Sequence, residues 1–158
     1  METIFPGLRA MENLHPVFVH FPIGLLPAAL LVQALAVARR REDWQRLALW
    51  LLWLGTLGAL AAAGTGLLAA ENVQVPDPAI EVVELHEFLM LTTAGLAVVL
   101  SVVALVAVWR QRLTRGVQFS LLAGLVVLGG VLAVGADRGG QLVYQYGVSV
   151  KPPVAPGP

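Results

Sequence analysis

The sequence predicts an all-α integral membrane protein, a bundle of four transmembrane helices with the N-terminus and the C-terminus outside. Hydrophobic residues make up 58% of the 158 residues, and the mean hydropathy of +0.78 is far above that of a soluble domain. Four stretches contain no Asp, Glu, Lys or Arg, and each is long enough to cross a hydrocarbon core of about 30 Å as a helix. These stretches are 13–38, 47–70, 88–109 and 116–136.

The charged residues between these stretches predict the orientation of the bundle in the membrane. The first and third connections are rich in arginine, whereas 71–87 contains five acidic residues and no Lys or Arg. Short loops rich in Lys and Arg stay in the cytoplasm, so the acidic connection and both termini are predicted to face out. The arginines concerned are Arg39, Arg40, Arg41, Arg46, Arg110, Arg112 and Arg115.

Short connections leave no room for a second domain, so a single membrane domain is predicted over 1–158. Its spans are placed at approximately 16–38, 47–70, 84–109 and 116–136, followed by an outer C-terminal tail at 137–158. Apolar residues and glycines in 137–150 predict a strand-like or interfacial segment that folds back over the outer face. The proline-rich end, 151–158, is predicted to be polyproline-like.

Prolines set the shape of the first span. Pro16 suits the start of a helix, but Pro22 and Pro27 each remove a backbone hydrogen bond and clash with the preceding turn. We therefore expect a bent or partly unwound entry around 14–22, packed against other helices so that the freed carbonyls find partners. The second and fourth spans are rich in glycine and alanine, which is typical of close helix packing.

All three histidines lie at the same predicted end of the bundle. In a helix that starts at Pro16, His15 and His20 would be about 140° apart around the axis and about 7.5 Å apart along it. They cannot form a chelating pair on one helix face, so each needs a partner on another element. His20 and His86 lie at similar depth on two different spans.

Three interpretations of these histidines stay open. His20 and His86 are candidate axial ligands of a haem b held between the helices, with His15 nearby. The same two imidazoles could instead bind a single transition-metal ion at the outer surface. In the structural alternative, His15 caps a helix, His20 bonds a carbonyl freed by proline, and His86 is an interfacial polar residue.

Arg138 follows Asp137 at the outer end of the fourth span. An adjacent Asp-Arg pair is most often a helix anchor at the membrane interface. As a cofactor-binding residue, Arg138 would pair with a haem propionate.

The string Leu-His-Pro-x-x-Val-His-Phe-Pro-Ile at 14–23 resembles the hallmark of a bacterial family of four-span membrane proteins, the domain-of-unknown-function 2231 family. The resemblance continues through His86 to the pattern Gly-Gly-x-Leu-Val-Tyr-x-x-Gly-Val at 139–148. It implies a multi-pass protein of the bacterial inner membrane, and relatives fused to cytochrome-type domains imply redox work. The chain departs from the family at Tyr146, where relatives often have histidine, so no role for a fourth imidazole is expected.

A haem-b-binding electron-transfer subunit is therefore the leading functional hypothesis. A structural or assembly subunit without a cofactor and a protein that binds a transition metal at its outer face are the alternatives. No nucleotide-binding loop, H-E-x-x-H string or nucleophile–histidine–acid arrangement is recognisable. The expected partners are the lipid bilayer and a membrane or periplasmic redox complex, and a homodimer is compatible with the sequence. Nucleic acid is not expected, because the basic clusters are short loops against the membrane.

Overall fold

The computed structural model describes residues 4–150, and all regular structure in this range is helical. A short helix α1 (Pro6–Ala10) and a single turn α2 (His15–Phe18) precede α3 (His20–Arg39) and α4 (Glu42–Ala70). A 3-10 turn (Asp77–Ala79) leads into α5 (Ile80–Trp109), and α6 (Arg115–Tyr144) follows. Counting α2 with α3 and the 3-10 turn with α5, four helices are long and apolar enough to span a membrane. This confirms the predicted all-helical, four-span fold.

The helix of the first span is interrupted only at Val19, whose backbone keeps helical dihedral angles of φ −62° and ψ −25°. The turn α2 ends at Phe18 and α3 begins at His20, with Val19 between them. The N–H of Val19 donates to His15 O at 3.2 Å and the N–H of Ile23 donates to Val19 O at 3.3 Å. Between them Pro22 has no N–H to donate, so the helical ladder is broken there.

The four long helices form a ring in which α3 packs on α4, α4 on α5, α5 on α6, and α6 on α3. Contacts are more extensive within the hairpins α3–α4 and α5–α6 than between them. The core is built of leucine and alanine, with leucines filling the space that alanines on facing helices leave. Its most buried members are Leu26, Ala29, Leu52, Ala97, Ala104, Leu121, Leu125 and Leu128.

The two hairpins are related by an internal repeat. Residues 15–41 align with 86–112 when the numbers are shifted by 71, and α4 aligns with α6 under a shift of 73. In the ring of contacts α3 and α5 occupy equivalent places, as do α4 and α6. Identical pairs in the first alignment are His15/His86, Gly24/Gly95, Leu25/Leu96, Val32/Val103, Ala36/Ala107, Val37/Val108, Arg39/Arg110 and Arg41/Arg112.

The turns after α3 and α5 repeat the same backbone geometry. Each contains a residue in the left-handed conformation, Arg40 with φ 53° and Gln111 with φ 52°. The N–H of the next arginine then donates to the carbonyl of Ala36 at 3.1 Å or Ala107 at 2.8 Å. This is the Schellman pattern that ends helices. Both turns therefore lie at one end of the bundle, the arginine end, and His15 and His86 lie at the other, the histidine end.

The fourth helix is longer than the sequence predicts. The expectation of a strand-like segment is wrong for 137–144, which continue α6 to Tyr144. Leu142 is buried and follows Gly135 by two turns on the same helix face, so burial at helical period outweighs the β propensity of the valine and tyrosine. Beyond α6, Gly147 adopts φ 66° and Ser149 Oγ accepts a hydrogen bond from Asn13 at 3.3 Å. The polyproline-like end, 151–158, lies outside the described residues.

Candidate functional site

His15 binds the second long helix of its own hairpin. Its Nδ1 lies 3.0 Å from Ala62 O and 3.3 Å from Thr65 Oγ1 on α4. The backbone N–H of His15 donates to Asn13 Oδ1 at 3.1 Å, which fixes the start of the turn. The ring lies against Gly66, where an added Cβ would come within 3.0 Å of Cε1. A side chain at position 66 would require the ring to shift by a few tenths of an ångström.

His86 repeats that arrangement in the second hairpin. Its Nδ1 lies 2.8 Å from Gly135 O on α6, and a Cβ added at Gly139 would lie 2.9 Å from His86 Cε1. Gly135 and Gly139 are the residues that the repeat aligns with Ala62 and Gly66. The distances to the other ring atoms also agree, since Nδ1 and Nε2 would lie 3.3 and 3.7 Å from the added Cβ in both hairpins.

These contacts define the tautomer of both imidazoles. A carbonyl oxygen only accepts hydrogen bonds, so the Nδ1 that faces it carries the proton in the neutral ring. Nε2 is then unprotonated, and within residues 4–150 it has no hydrogen-bond partner at His15 or His86. At the histidine end, each hairpin therefore presents one imidazole whose Nε2 carries an unprotonated lone pair.

His20 does not belong to this arrangement. It is the first residue of α3, its side chain is exposed, and no described residue forms a hydrogen bond with its ring. The structure thus relates His86 to His15, whereas the sequence analysis paired His86 with His20. The expected bond from His20 to a carbonyl freed by proline is not formed within residues 4–150, and Asn13, rather than the His15 ring, caps the entry.

Arg138 lies one residue before Gly139, but its guanidinium follows its own helix. Nη1 donates to Gln141 Oε1 at 2.8 Å, and Nη2 lies 3.9 Å from Asp137 Oδ2. The Nε atom is buried and has no partner among the described residues. The guanidinium thus bonds within its own helix and keeps one donor without a partner among the described residues.

No set of three or more His, Cys, Asp or Glu side chains suited to hold a metal ion occurs within residues 4–150. Zinc sites use three or four protein ligands, so the histidine pair lacks the further donors that such an ion needs. Two imidazoles are, in contrast, a complete axial ligand set for a haem iron.

The sequence analysis places His15 beside the His20–His86 pair, and the internal repeat gives it a closer relation to His86. Once 15–41 is aligned with 86–112, His15 and His86 stand at equivalent positions, while His20 aligns with Leu91. The alignment of α4 with α6 likewise pairs Gly66 with Gly139. The internal repeat is thus the sequence signal that identifies both imidazoles and their glycines.

Fold and site together define a four-span helical membrane protein with a repeated hairpin and a pair of imidazoles at one end. Residues 11–152 match the model of a family described as predicted membrane protein, DUF2231. The chain therefore belongs to this family, as the motifs at 14–23 and 139–148 indicate. No curated protein and no solved structure matches the chain.

Proposed function

We propose that this protein binds haem b between its two hairpins, with Nε2 of His15 and His86 as the axial ligands, and acts as an electron-transfer subunit in its membrane. The observation that carries the proposal is the matched pair of Nδ1–H···O=C hydrogen bonds to Ala62 and Gly135. Relative to the sequence analysis, the proposal keeps His86 and replaces His20 by His15.

The hydrogen bonds at Nδ1 support a ligand role for Nε2. Histidines that bind a metal commonly donate their other ring N–H to a carbonyl or carboxylate, which fixes the tautomer and the ring orientation. Both rings form this bond in the protein without a cofactor. Each ring is also held on a glycine, so little side-chain freedom remains to be lost on binding.

The number of donors favours haem over a single ion. Within residues 4–150 no carboxylate, thiolate or further imidazole lies where it could complete a metal site with the two histidines. A haem iron takes four of its ligands from the macrocycle and needs only two from the protein. The donor set therefore fits haem b and leaves Zn²⁺ or Cu²⁺ under-coordinated.

The position we propose for the cofactor is between the two hairpins. Contacts across the α3–α6 and α4–α5 seams are less extensive than those within each hairpin, so the hairpins separate at lower cost than the helices of one hairpin. Bound there, haem b supplies reversible one-electron chemistry, while His15 and His86 hold and orient it. Arg138, with its unused Nε donor, is the nearby cation for a propionate. The redox partner is then a protein that reaches the histidine end.

A second function is favoured by the same hydrogen bonds. Each imidazole joins two helices of one hairpin, His15 joining α2 to α4 and His86 joining α5 to α6. Such polar bonds stabilise helix pairs in membranes by about 0.6–2 kcal/mol each. In a structural or assembly subunit without a cofactor, these bonds would be the whole role of the two histidines.

Absorption spectra of detergent-purified protein, oxidised and then reduced with dithionite, separate the two functions. The protein is expressed with ample haem as the wild type and as His15→Ala, His86→Ala and the control His20→Ala. The proposal predicts a Soret band and a reduced α band that His15→Ala and His86→Ala abolish and His20→Ala retains. Loss of the bands in His20→Ala, with retention in His15→Ala, would restore the pair predicted from sequence. A folded wild-type protein without absorbing cofactor would refute the haem proposal.

A further inference from the structure

A second candidate site lies at the arginine end, far from the histidine pair. A groove of about 330 Å³ runs between the end of α5 and the beginning of α6. Its walls are almost entirely apolar and include Val102, Val103, Val106 and Val117, and its end is lined by Arg110 and Arg112. The volume is in the range of ligand pockets.

Both arginines at this groove keep an uncompensated charge. Within residues 4–150 neither Arg110 nor Arg112 forms an ion pair or a side-chain hydrogen bond, and both side chains are exposed. Their backbones are nevertheless fixed, since the N–H of Arg112 donates to Ala107 O at 2.8 Å in the Schellman turn. The two guanidinium groups therefore stand on a rigid turn directly beside an apolar groove.

In the equivalent turn of the first hairpin, one of the two aligned arginines, Arg41, is paired with a carboxylate. There Arg41 donates from Nε and Nη2 to the carboxylate of Asp43 at 2.9 and 2.8 Å. Under the shift of 73 that aligns α4 with α6, Asp43 corresponds to Gly116, which has no side chain, and Thr114 Oγ1 caps α6. In addition, Trp44 of the first hairpin aligns with Val117, a much smaller side chain. The second hairpin thus has no carboxylate at the position of Asp43 and a smaller side chain at the position of Trp44.

We propose that this groove binds one anionic phospholipid, with an acyl chain along α5 and the phosphate between Arg110 and Arg112. At 1.5 Å per residue, the distance along α5 from Arg110 to Val102 is about 12 Å, enough for the part of an acyl chain nearest its headgroup. Basic pockets between transmembrane helices are suited to anionic headgroups, and the planar guanidinium group matches phosphate oxygens in geometry. This site is independent of the haem proposal.

Native mass spectrometry of the detergent-purified protein tests this site. Phosphatidylglycerol and phosphatidylcholine with identical acyl chains are added separately, and the occupancy of the first bound lipid is measured. We expect phosphatidylglycerol to bind more tightly than phosphatidylcholine. Arg110→Gln/Arg112→Gln should weaken phosphatidylglycerol about 30-fold, because each arginine near an anionic headgroup contributes about fivefold. The control Arg39→Gln/Arg41→Gln removes the same charge from the equivalent turn and should leave this binding unchanged.

The apolar part of the site needs a variant of its own. Val102→Trp fills the groove with both arginines intact and should also weaken phosphatidylglycerol, whereas Leu31→Trp at the equivalent exposed position of α3 should not. Size-exclusion profiles and melting temperatures identify any variant that is not folded. Equal weakening by both pairs of arginine variants would mean that only the general positive charge matters, and would overturn the proposal. Equal binding of the two lipids, or an unaffected Val102→Trp, would overturn it as well.

Discussion

Replacing Gly139 by alanine places a methyl group against the imidazole of His86. The added Cβ would lie 2.9 Å from His86 Cε1, closer than carbon atoms normally approach. The ring must therefore rotate away from Gly139, and its hydrogen bond to Gly135 O, 2.8 Å in length, is lost. Gly140, the next residue of the same helix, has no atom within 4 Å of an added Cβ and provides the matched control.

The expected difference in stability between these two variants follows from helix propensity and from the loss of a hydrogen bond, which act in opposite directions. Alanine is favoured over glycine inside a helix by about 1 kcal/mol, and Gly140→Ala gains this term alone. Gly139→Ala gains it too but loses an interhelical hydrogen bond, which costs about 0.5–1.5 kcal/mol and leaves Gly135 O with one bond fewer. We expect Gly139→Ala to be about 1–2 kcal/mol less stable than Gly140→Ala.

Reversible unfolding in mixed detergent micelles, followed by circular dichroism, measures this difference. In a His86→Ala background the penalty should vanish, and Gly139→Ala should then behave like Gly140→Ala. If the two variants are equally stable with His86 present, the contact between the ring and Gly139 is not formed and the reasoning is refuted. Gly66→Ala and the control Gly64→Ala repeat the test for His15, since Gly64 also has no atom within 4 Å of an added Cβ.

Two further predictions concern the rest of the bundle. Gln33 is 1% exposed. It donates to Gln118 O at 3.0 Å and accepts from Gln45 at 2.8 Å. Gln33→Leu should therefore lower the free energy of unfolding by about 1–3 kcal/mol, because it leaves the buried Gln45 amide without a partner. The same unfolding assay should find Gln33→Leu/Gln45→Leu more stable than the single variant. The chain contains no cysteine, so a single introduced cysteine reports which side of the membrane its position faces. A membrane-impermeant maleimide added outside intact cells should label Gln74→Cys but not Glu42→Cys. Labelling at Glu42→Cys alone would reverse the predicted orientation.

The fold was predictable because its signals are long and local. Stretches of more than twenty residues without an ionisable side chain leave few alternatives to a membrane helix. The ends of the helices were less accessible, since interfacial residues such as those at 137–144 carry no continuous apolar signal. There the burial of Leu142 against the other helices, which sequence alone does not reveal, extends α6 by two turns.

The histidine site was predictable in composition but not in pairing. The sequence placed three imidazoles at one end and excluded a chelating pair on one helix. It favoured His20 over His15 because His20 lies inside the span. In the structure His15, and not His20, contacts Gly66 of α4, and this contact depends on packing between α2 and α4. Only the internal repeat carries that information in the sequence.

The equivalence of His15 and His86 is tested most directly by ¹⁵N NMR of the imidazole nitrogens. Protein without cofactor is labelled at histidine, and the resonances are assigned from single His→Gln variants near pH 8. The structure predicts that His15 and His86 are both protonated at Nδ1 and unprotonated at Nε2. A proton on Nε2 of either His15 or His86 would contradict the pairing of these two residues and their role as ligands.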